Sequence, residues 1–373
     1  MQRHGSAAPA ARFGTLQCHL RGVKNPPPAQ TFWPVPACPM VPLACNVDAA
    51  RPCYQPSATP PIRLRDAPGF TVPVRRSFST VALMGNPEDR RVLEPLTVLA
   101  SHLAAHGRKV LVSEALTDGA VPAAAGRVPE TELVRAAQLV IAVGGDGSML
   151  YAARRLAGLA VPLLGINRGR LGFLADIGPA EMLARLDEIL RGEYDSERRL
   201  LLRAEVTEGG RVVGGGLALN DIAVTRHDPG RMLEIRTFVD GNYLNTHRGD
   251  GFIVATATGS TAYAMSCGGP IVAPQLDAIV LVPICPHTLS ERPIIVPATA
   301  VTEITLSEAH SLRADVSCDG EVTAELTPGR RLRVRAATER IELIHPRGHD
   351  YFRILREKLH WGHDHHSAGR HPR

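Results

Sequence analysis

Residues 144–148 read Gly-Gly-Asp-Gly-Ser and follow directly on the apolar run 139–143. Met149, Ala152, Ala153 and Leu156 then recur at i, i+3, i+4 and i+7, which predicts a helix from about Ser148. Strand, glycine loop and helix in that order aim the free N–H groups of a first helical turn into the loop, which makes an anion site. Glycine lets backbone approach phosphate closely, whereas Asp146 repels phosphate unless it binds a metal ion or takes a proton. The competing reading is a tight structural turn, a task that Asn or Ser serves as well.

A second cluster runs from Arg248-Gly249-Asp250-Gly251 through a strand over 252–255 to Thr258-Gly259-Ser260-Thr261-Ala262-Tyr263-Ala264-Met265-Ser266, with Gly268-Gly269-Pro270 behind it. Its hydroxyls and glycines precede a short helix and offer donors to a sugar or phosphate; a helix capped by Thr258 or Ser260 accounts for the same residues. Leu219-Asn220-Asp221 interrupts an apolar β pattern, and a turn is the default reading. His287 sits among β residues and reads as a structural histidine.

Several chemistries are excluded by inspection. There is no GxGxxG, so the ordinary dinucleotide fingerprint is absent. No Ser-His-Asp or His-Glu-x-x-His constellation stands out. Lys24, Lys109 and Lys358 are the only lysines and none follows a glycine, which removes the GxxxxGK[ST] loop. Phosphate must then be met by arginine, a metal ion or backbone N–H.

The elements that position these residues fall into two regimes. Short apolar strands alternate with amphipathic helices from residue 81: strands over 81–84, 109–112, 139–143 and 161–166, and helices over 90–106, 130–137 and 179–191, the last closed by Gly192. This pattern predicts a parallel α/β layer. From about Arg199 alternation at period two takes over. Leu233, Ile235, Thr237 and Val239 share a face ahead of Asp240-Gly241, and Asp319-Gly320 follows a strand over 314–318, so both dipeptides mark hairpins. Arg331, Arg333 and Arg335 alternate with Leu332, Val334 and Ala336, a strand with a solvated cationic face. A last helix is expected over 349–359. The expected organisation is an N-terminal extension (1–76), an α/β domain (77–198), a β-rich domain (199–348), a C-terminal helix (349–362) and a His-containing disordered tail (363–373).

The 373 residues are 44% hydrophobic and 21% charged, a globular composition. The longest apolar run, 278–286, is far short of the ~18–20 residues that a bilayer-spanning helix needs. The net charge of +5 is unevenly spread, because residues 1–76 hold nine basic and two acidic residues and leave −2 for the rest. The surplus therefore gives no ground for a nucleic-acid partner. The same segment holds 14 of the 30 prolines and four of the seven cysteines, and no period survives in it. It reads as disordered with free thiols; an organelle transit peptide is the alternative, against which the prolines argue.

In their order, Gly144-Gly145-Asp146-Gly147, Leu164-Gly165-Ile166-Asn167-Arg168-Gly169-Arg170-Leu171-Gly172-Phe173-Leu174, Leu219-Asn220-Asp221, the 250–270 stretch and Leu281-Val282-Pro283-Ile284-Cys285-Pro286-His287-Thr288-Leu289-Ser290 resemble a bacterial NAD kinase over about residues 80–362. The resemblance implies an α/β domain carrying the GGDG loop plus an all-β domain. It also implies ATP-dependent phosphorylation of the adenosine ribose 2′-hydroxyl of NAD to give NADP, a divalent cation (Mg²⁺ or Mn²⁺), and a cytoplasmic homo-oligomer, dimer or tetramer. Donor choice between ATP and polyphosphate, and acceptance of NADH, stay open.

Carried over by motif, Asp146 is the proton acceptor with Gly147 beside it at the nucleotide, and Phe173 lines the adenine pocket. Asn220 and Asp221 match the pair that holds NAD; Arg231, Arg248 and Asp250 match further contacts; Thr261, Ala262, Tyr263, Ala264, Met265 and Ser266 match the stretch that wraps it; Glu321 falls where an amide is usual. The chain departs from the family pattern at Ser148, Asp221, Gly249 and Glu321. A carboxylate near a diphosphate is unfavourable unless it faces a ribose hydroxyl or a cation, which makes Glu321 the departure with most chemical consequence. A lipid kinase sharing the GGDG loop lacks the 219–221 and 250–270 motifs. A non-catalytic NAD sensor does not need Asp146, and a dehydrogenase is disfavoured by the missing fingerprint.

Overall fold

The computed structural model describes residues 76–116, 125–169, 172–228, 230–308 and 312–361. The expected disorder of residues 1–75 and 363–373, the thiols of Cys18, Cys38, Cys45 and Cys53, and Arg170 and Leu171 lie outside them. Arg76, the last residue of the expected extension, is described and pairs with Glu342 at 3.1 Å.

The N-terminal layer is a parallel sheet in the order β5-β4-β1-β2-β3. Its strands are β1 (Thr80–Met84), β2 (Lys109–Ser113), β3 (Gly126–Val128), β4 (Leu139–Gly144) and β5 (Leu163–Asn167). β4 is buried along its whole length, as its unbroken apolar run requires of a strand covered on both faces. One face carries α1 (Leu93–Ala105) and α4 (Met182–Leu190), which bring Leu96, Leu99, Leu103, Leu186 and Ile189 against Leu83 and Ile141. The other carries α2 (Glu130–Ala136) and α3 (Asp146–Leu156), packing Leu133, Met149 and Leu156 on Ala82, Val140 and Ala142. Each larger apolar side chain so buried stabilises the fold by roughly 1.5–3 kcal/mol. α3 begins two residues before the expected Ser148, because extended Gly145 is its N-cap. β3 has three residues, too few for a period to be read from sequence.

The strands that follow are antiparallel. β6 (Tyr194–Glu208), β7 (Arg211–Ala218), β9 (Leu233–Val239), β10 (Asn242–Gly249), β14 (Thr302–Leu306) and the 16-residue β17 (Arg331–Pro346) extend the first sheet to eleven strands. β17 makes the join: antiparallel to β6 and β14, it ends parallel to β5 with Leu343 opposite Leu163 and Ile344 opposite Leu164. A second sheet has the order β13-β12-β11-β8-β15-β16. It comprises β8 (Asp221–Arg226), β11 (Gly251–Thr256), β12 (Ala278–Ile284), β13 (Ile294–Pro297), β15 (Ala314–Cys318) and β16 (Glu321–Leu326). Ile222, Val224, Val254 and Leu281 from this sheet share a core with Val206, Ile235, Ile304 and Val334 from the first.

Both expected hairpins form. Asp240 and Gly241 have φ of 50° and 77°, and Asp319 and Gly320 have 50° and 82°, the paired positive values of a two-residue turn. Arg331 and Arg335 pair with Glu303 and Glu205, so the cationic face of β17 is solvated and neutralised. A last helix, α6 (Tyr351–Leu359), is capped by the Asp350 carboxylate accepting from the Phe352 N–H at 2.9 Å. Among the described residues, no helix is long and apolar enough to cross a membrane.

Candidate active site

Asp146 opens α3 at the carboxyl end of β4, beside the central strand β1, where the strand order changes direction. Open α/β sheets bind ligands in the crevice at such a point. Three backbone donors hold its carboxylate: Phe173 N–H to Oδ2 at 2.9 Å, and Leu174 and Ala175 N–H to Oδ1 at 3.0 and 3.3 Å. The segment that supplies them is pressed close by glycines. A β-carbon on Gly165 would lie 2.8 Å from Ala175 Cα and 2.9 Å from Met149 Sδ. The side chain of α3's first residue is thus fixed from outside the helix, while the first N–H groups of the helix have no partner within it.

Beside this point opens a cavity of about 630 Å³, lined by Gly85 and Asn86 after β1, Gly147, Ser148 and Tyr151 of α3, Glu130, Arg168 and Glu321. Its lining contains no lysine, and Arg168, ion-paired with Asp89, is its arginine. Phe173 is half-buried and does not line this cavity; its contact with the site is the N–H bond to Asp146.

Asn220 and Asp221 stand where β7 turns into β8, and a residue that the sequence marks only as part of a hairpin shapes that turn. The fully buried Asp319 carboxylate accepts from the N–H groups of Leu219 (3.0 Å), Asn220 (2.8 Å) and Asp221 (3.3 Å), and from Arg154 Nη1 at 3.1 Å. Arg154 lies two turns along α3 from Asp146 and also pairs with Glu321. One helix therefore carries both the GGDG aspartate and the cation that locks the Asn220-Asp221 turn. The same cation answers Glu321, whose carboxylate faces a guanidinium. Burial, and then the charge of Asp319, pushes the Asp221 carboxyl up to about 7. Nothing in the local sequence separated Asp319 from an ordinary hairpin residue, since Asp-Gly is the expected dipeptide of that turn.

The 258–266 stretch folds as a 3₁₀ turn, Thr258–Thr261, and the one-turn α5 (Tyr263–Ser266). It packs tightly on the Asn220 turn: a β-carbon on Gly259 would lie 2.1 Å from the Asn220 carbonyl oxygen. Hydroxyls in and beside this stretch hold the turn together. Thr256 donates to the Leu219 carbonyl at 2.6 Å, Ser260 donates to Ala257 at 2.7 Å and receives the Val272 N–H at 2.9 Å, and Thr261 donates to Thr258 at 3.3 Å. Ala264 is buried, Ala262 and Met265 are half-buried, and Tyr263 and Ser266 are exposed. Burial, then the neighbouring charges of Cys267, Cys285, Asp221 and Asp250, pushes the Tyr263 phenol up.

Arg231 and Arg248 are exposed, and Arg248 pairs with Glu234 at 3.3 Å. Asp250, between β10 and β11, pairs with Arg226 at 3.3 Å. Among the described residues, no hydrogen bond or ion pair joins these three to Asp146 or its cradle. His287 is exposed, with its N–H on the Arg248 carbonyl at 2.9 Å. The buried histidine here is His247, whose Nδ1 meets Glu291. A β-carbon on Gly249 would lie 2.6 Å from His247 Nε2, so the glycine at this position goes with the buried ring. Cys267, Cys285 and Cys318 carry free thiols.

Known proteins resemble this chain over most of its length. Residues 81–194 match the ATP-NAD kinase N-terminal domain and residues 219–346 the ATP-NAD kinase C-terminal domain. An NAD kinase of Chromohalobacter salexigens is 44% identical over 284 residues, which span 76% of this chain and 97% of that protein. One of Aromatoleum aromaticum is 43% identical over 293 residues, 78% of this chain and 97% of that protein. Of solved structures, yeast NADH kinase complexed with NADH superposes with a TM-score of 0.71 at 25% identity, covering 80% of this chain and 91% of that one. An NAD kinase from Archaeoglobus fulgidus in complex with ATP superposes with a TM-score of 0.60 at 26% identity, covering 75% and 98%. The two matched domains meet where the GGDG helix, through Arg154 and Asp319, holds the Asn220-Asp221 turn, and the chain belongs to the ATP-NAD kinase family.

Proposed function

We propose that this enzyme transfers the γ-phosphoryl group of ATP to the 2′-hydroxyl of the adenosine ribose of NAD, giving NADP, with Asp146 as proton acceptor. The observation that carries this reading is the Asp146 carboxylate, held by three N–H donors at the edge of a cavity of about 630 Å³. Phosphoryl transfer depends mainly on alignment and charge neutralisation. Gly147 and Arg168 supply the backbone and cationic contacts that phosphates need in a cavity without lysine. Asn220, Asp221, Tyr263 and Asp250 form the NAD side, with Phe173, Thr261, Ala262, Ala264, Met265, Ser266, Arg231, Arg248 and Glu321 as its further members.

A divalent cation fits this donor set. Mg²⁺ is usually held by phosphate oxygens with one or two carboxylates rather than by an all-protein cage. Glu130 and Glu321 line the cavity, and Asp146 stands at its edge. The cation, when bound, neutralises phosphate charge; Asp146 orients the hydroxyl and takes its proton, and the α3 N-terminus stabilises the anion.

Asp146→Asn tests the reading. It places an amide N–H against the Phe173 donor and removes the base, so kcat falls by ~10²–10⁴-fold while the fold persists. Near-normal NADP formation by a folded variant would sink the assignment. Homo-oligomerisation to a dimer or tetramer belongs to the same proposal, supported by exposed Val212 and Val213 on β7 and Val322 on β16. Light scattering that finds a monomer at micromolar concentration overturns it. A cytoplasmic location is proposed likewise and is checked by cell fractionation.

A further inference from the structure

Asp176 directly follows the three residues whose N–H groups cradle Asp146. Its Oδ2 accepts from His345 Nδ1 at 3.0 Å and His349 Nδ1 at 2.7 Å. The other ring nitrogen of His345 donates to Glu197 Oε1 at 3.0 Å. Glu197 also pairs with Arg199, whose Nη1 donates to Thr258 Oγ1 at 3.1 Å. A buried charged chain therefore runs from the Asp146 cradle to the first residue of the turn that seats Gly259 against Asn220.

His345 is 2% exposed and donates through both nitrogens, so it is an imidazolium between two carboxylates. With Arg199 it balances Asp176 and Glu197, which a buried cluster requires. Asp176, His345 and His349 lie close enough to share a metal ion, but the two rings stack at 3.9 Å and 24°. Both Nδ1 atoms converge on one carboxylate oxygen, Asp176 Oδ2, so the two histidines share that carboxylate as donors.

We propose that His345 is a positioning residue for phosphoryl transfer: bridging Asp176 and Glu197, it sets the backbone that aims Asp146 relative to the Thr258 turn that seats Asn220. The proposal rests on Asp146 being the proton acceptor. The attacking hydroxyl and its base must align with the phosphate, and a displacement of about 1 Å costs up to ~100-fold in rate.

The test measures kcat and KM for NAD and ATP in the full chain carrying His345→Gln, Thr258→Val, or both. In each single variant kcat falls about 10-fold or more while both KM values stay within about threefold, and the double variant is no slower than the slower single, since both cut one chain. Unchanged kcat in a folded single variant, a KM rise with kcat retained, or multiplicative losses in the double variant would each overturn the proposal. Should His345→Gln fail to fold, Thr258→Val, which removes one hydroxyl at nearly constant shape, decides alone. An inactive Asp146→Asn beside an unimpaired His345→Gln defeats the positioning role only, whereas an active Asp146→Asn defeats the proton-acceptor reading.

Discussion

Gly172 and Asp146 approach so closely that a β-carbon on Gly172 would lie 2.0 Å from Asp146 Oδ1 and 2.7 Å from its Cγ. The demand is for space, because Gly172 is not in the left-handed region. Gly172→Ala must push the carboxylate out of the three N–H bonds that aim it. We expect kcat to fall ~100-fold with a loss of stability of about 1–3 kcal/mol, read by NADP formation and urea unfolding. Wild-type kcat in this variant would show that the cradle does not aim the carboxylate.

Arg154 meets two carboxylates of very different exposure: Asp319 is fully buried, whereas the Glu321 side chain is 62% exposed. Arg154→Ala leaves Asp319 charged, buried and short of its cation, at a cost of about 3–5 kcal/mol. Glu321→Gln removes a screened partner and changes stability by no more than about 0.5 kcal/mol. Urea midpoints of the two variants that fail to differ would refute this ranking.

Asp221 titrates at about 7 in the folded chain against an ordinary 3.8, with burial as the first cause and Asp319 as the second. Tyr263, Cys267 and Cys318 face it from neighbouring elements. Between these values the folded state binds more protons than the unfolded, so stability falls as pH rises from about 4 to 7. Asp221→Asn flattens that slope; urea midpoints measured across the window, wild type against variant, check it.

His345 is opposed by burial but raised to about 9 by Asp176 and Glu197. Besides those two carboxylates, Arg199, His349 and Tyr351 face the cluster. Its contribution is complete below about 6.5 and lost as pH rises through about 9, a window distinct from that of Asp221. In His345→Gln the wild-type decline between pH 6.5 and 9 disappears. A decline that persists unchanged would mean that another group titrates there.

Much of the fold was legible because its signals are local. The unbroken run of β4, the i, i+3, i+4 spacing of α3 and the two Asp-Gly hairpins each sit within a dozen residues. The GGDG loop was legible for the same reason, although the helix starts at Asp146, two residues before the expected Ser148, with Gly145 as its cap. The role of the hydroxyls in 256–261 was not, because a free donor and one spent on a carbonyl nearby read alike in sequence.

Residue order alone determined the two regimes of secondary structure, the absence of a lysine-based phosphate loop and the position of Asp146 after a buried strand, since each depends on neighbours in the chain. Tertiary structure alone decided that Asp319 builds the Asn220 turn, that Arg154 answers Glu321, and that His345 ties the Asp146 cradle to Thr258. The direct pairs Asp319–Asn220 and Arg154–Glu321 lie 99 and 167 residues apart, and His345 reaches the cradle and Thr258 through third residues; a buried charge finds its partner by burial and geometry. Neither leaves a periodic mark on a sequence.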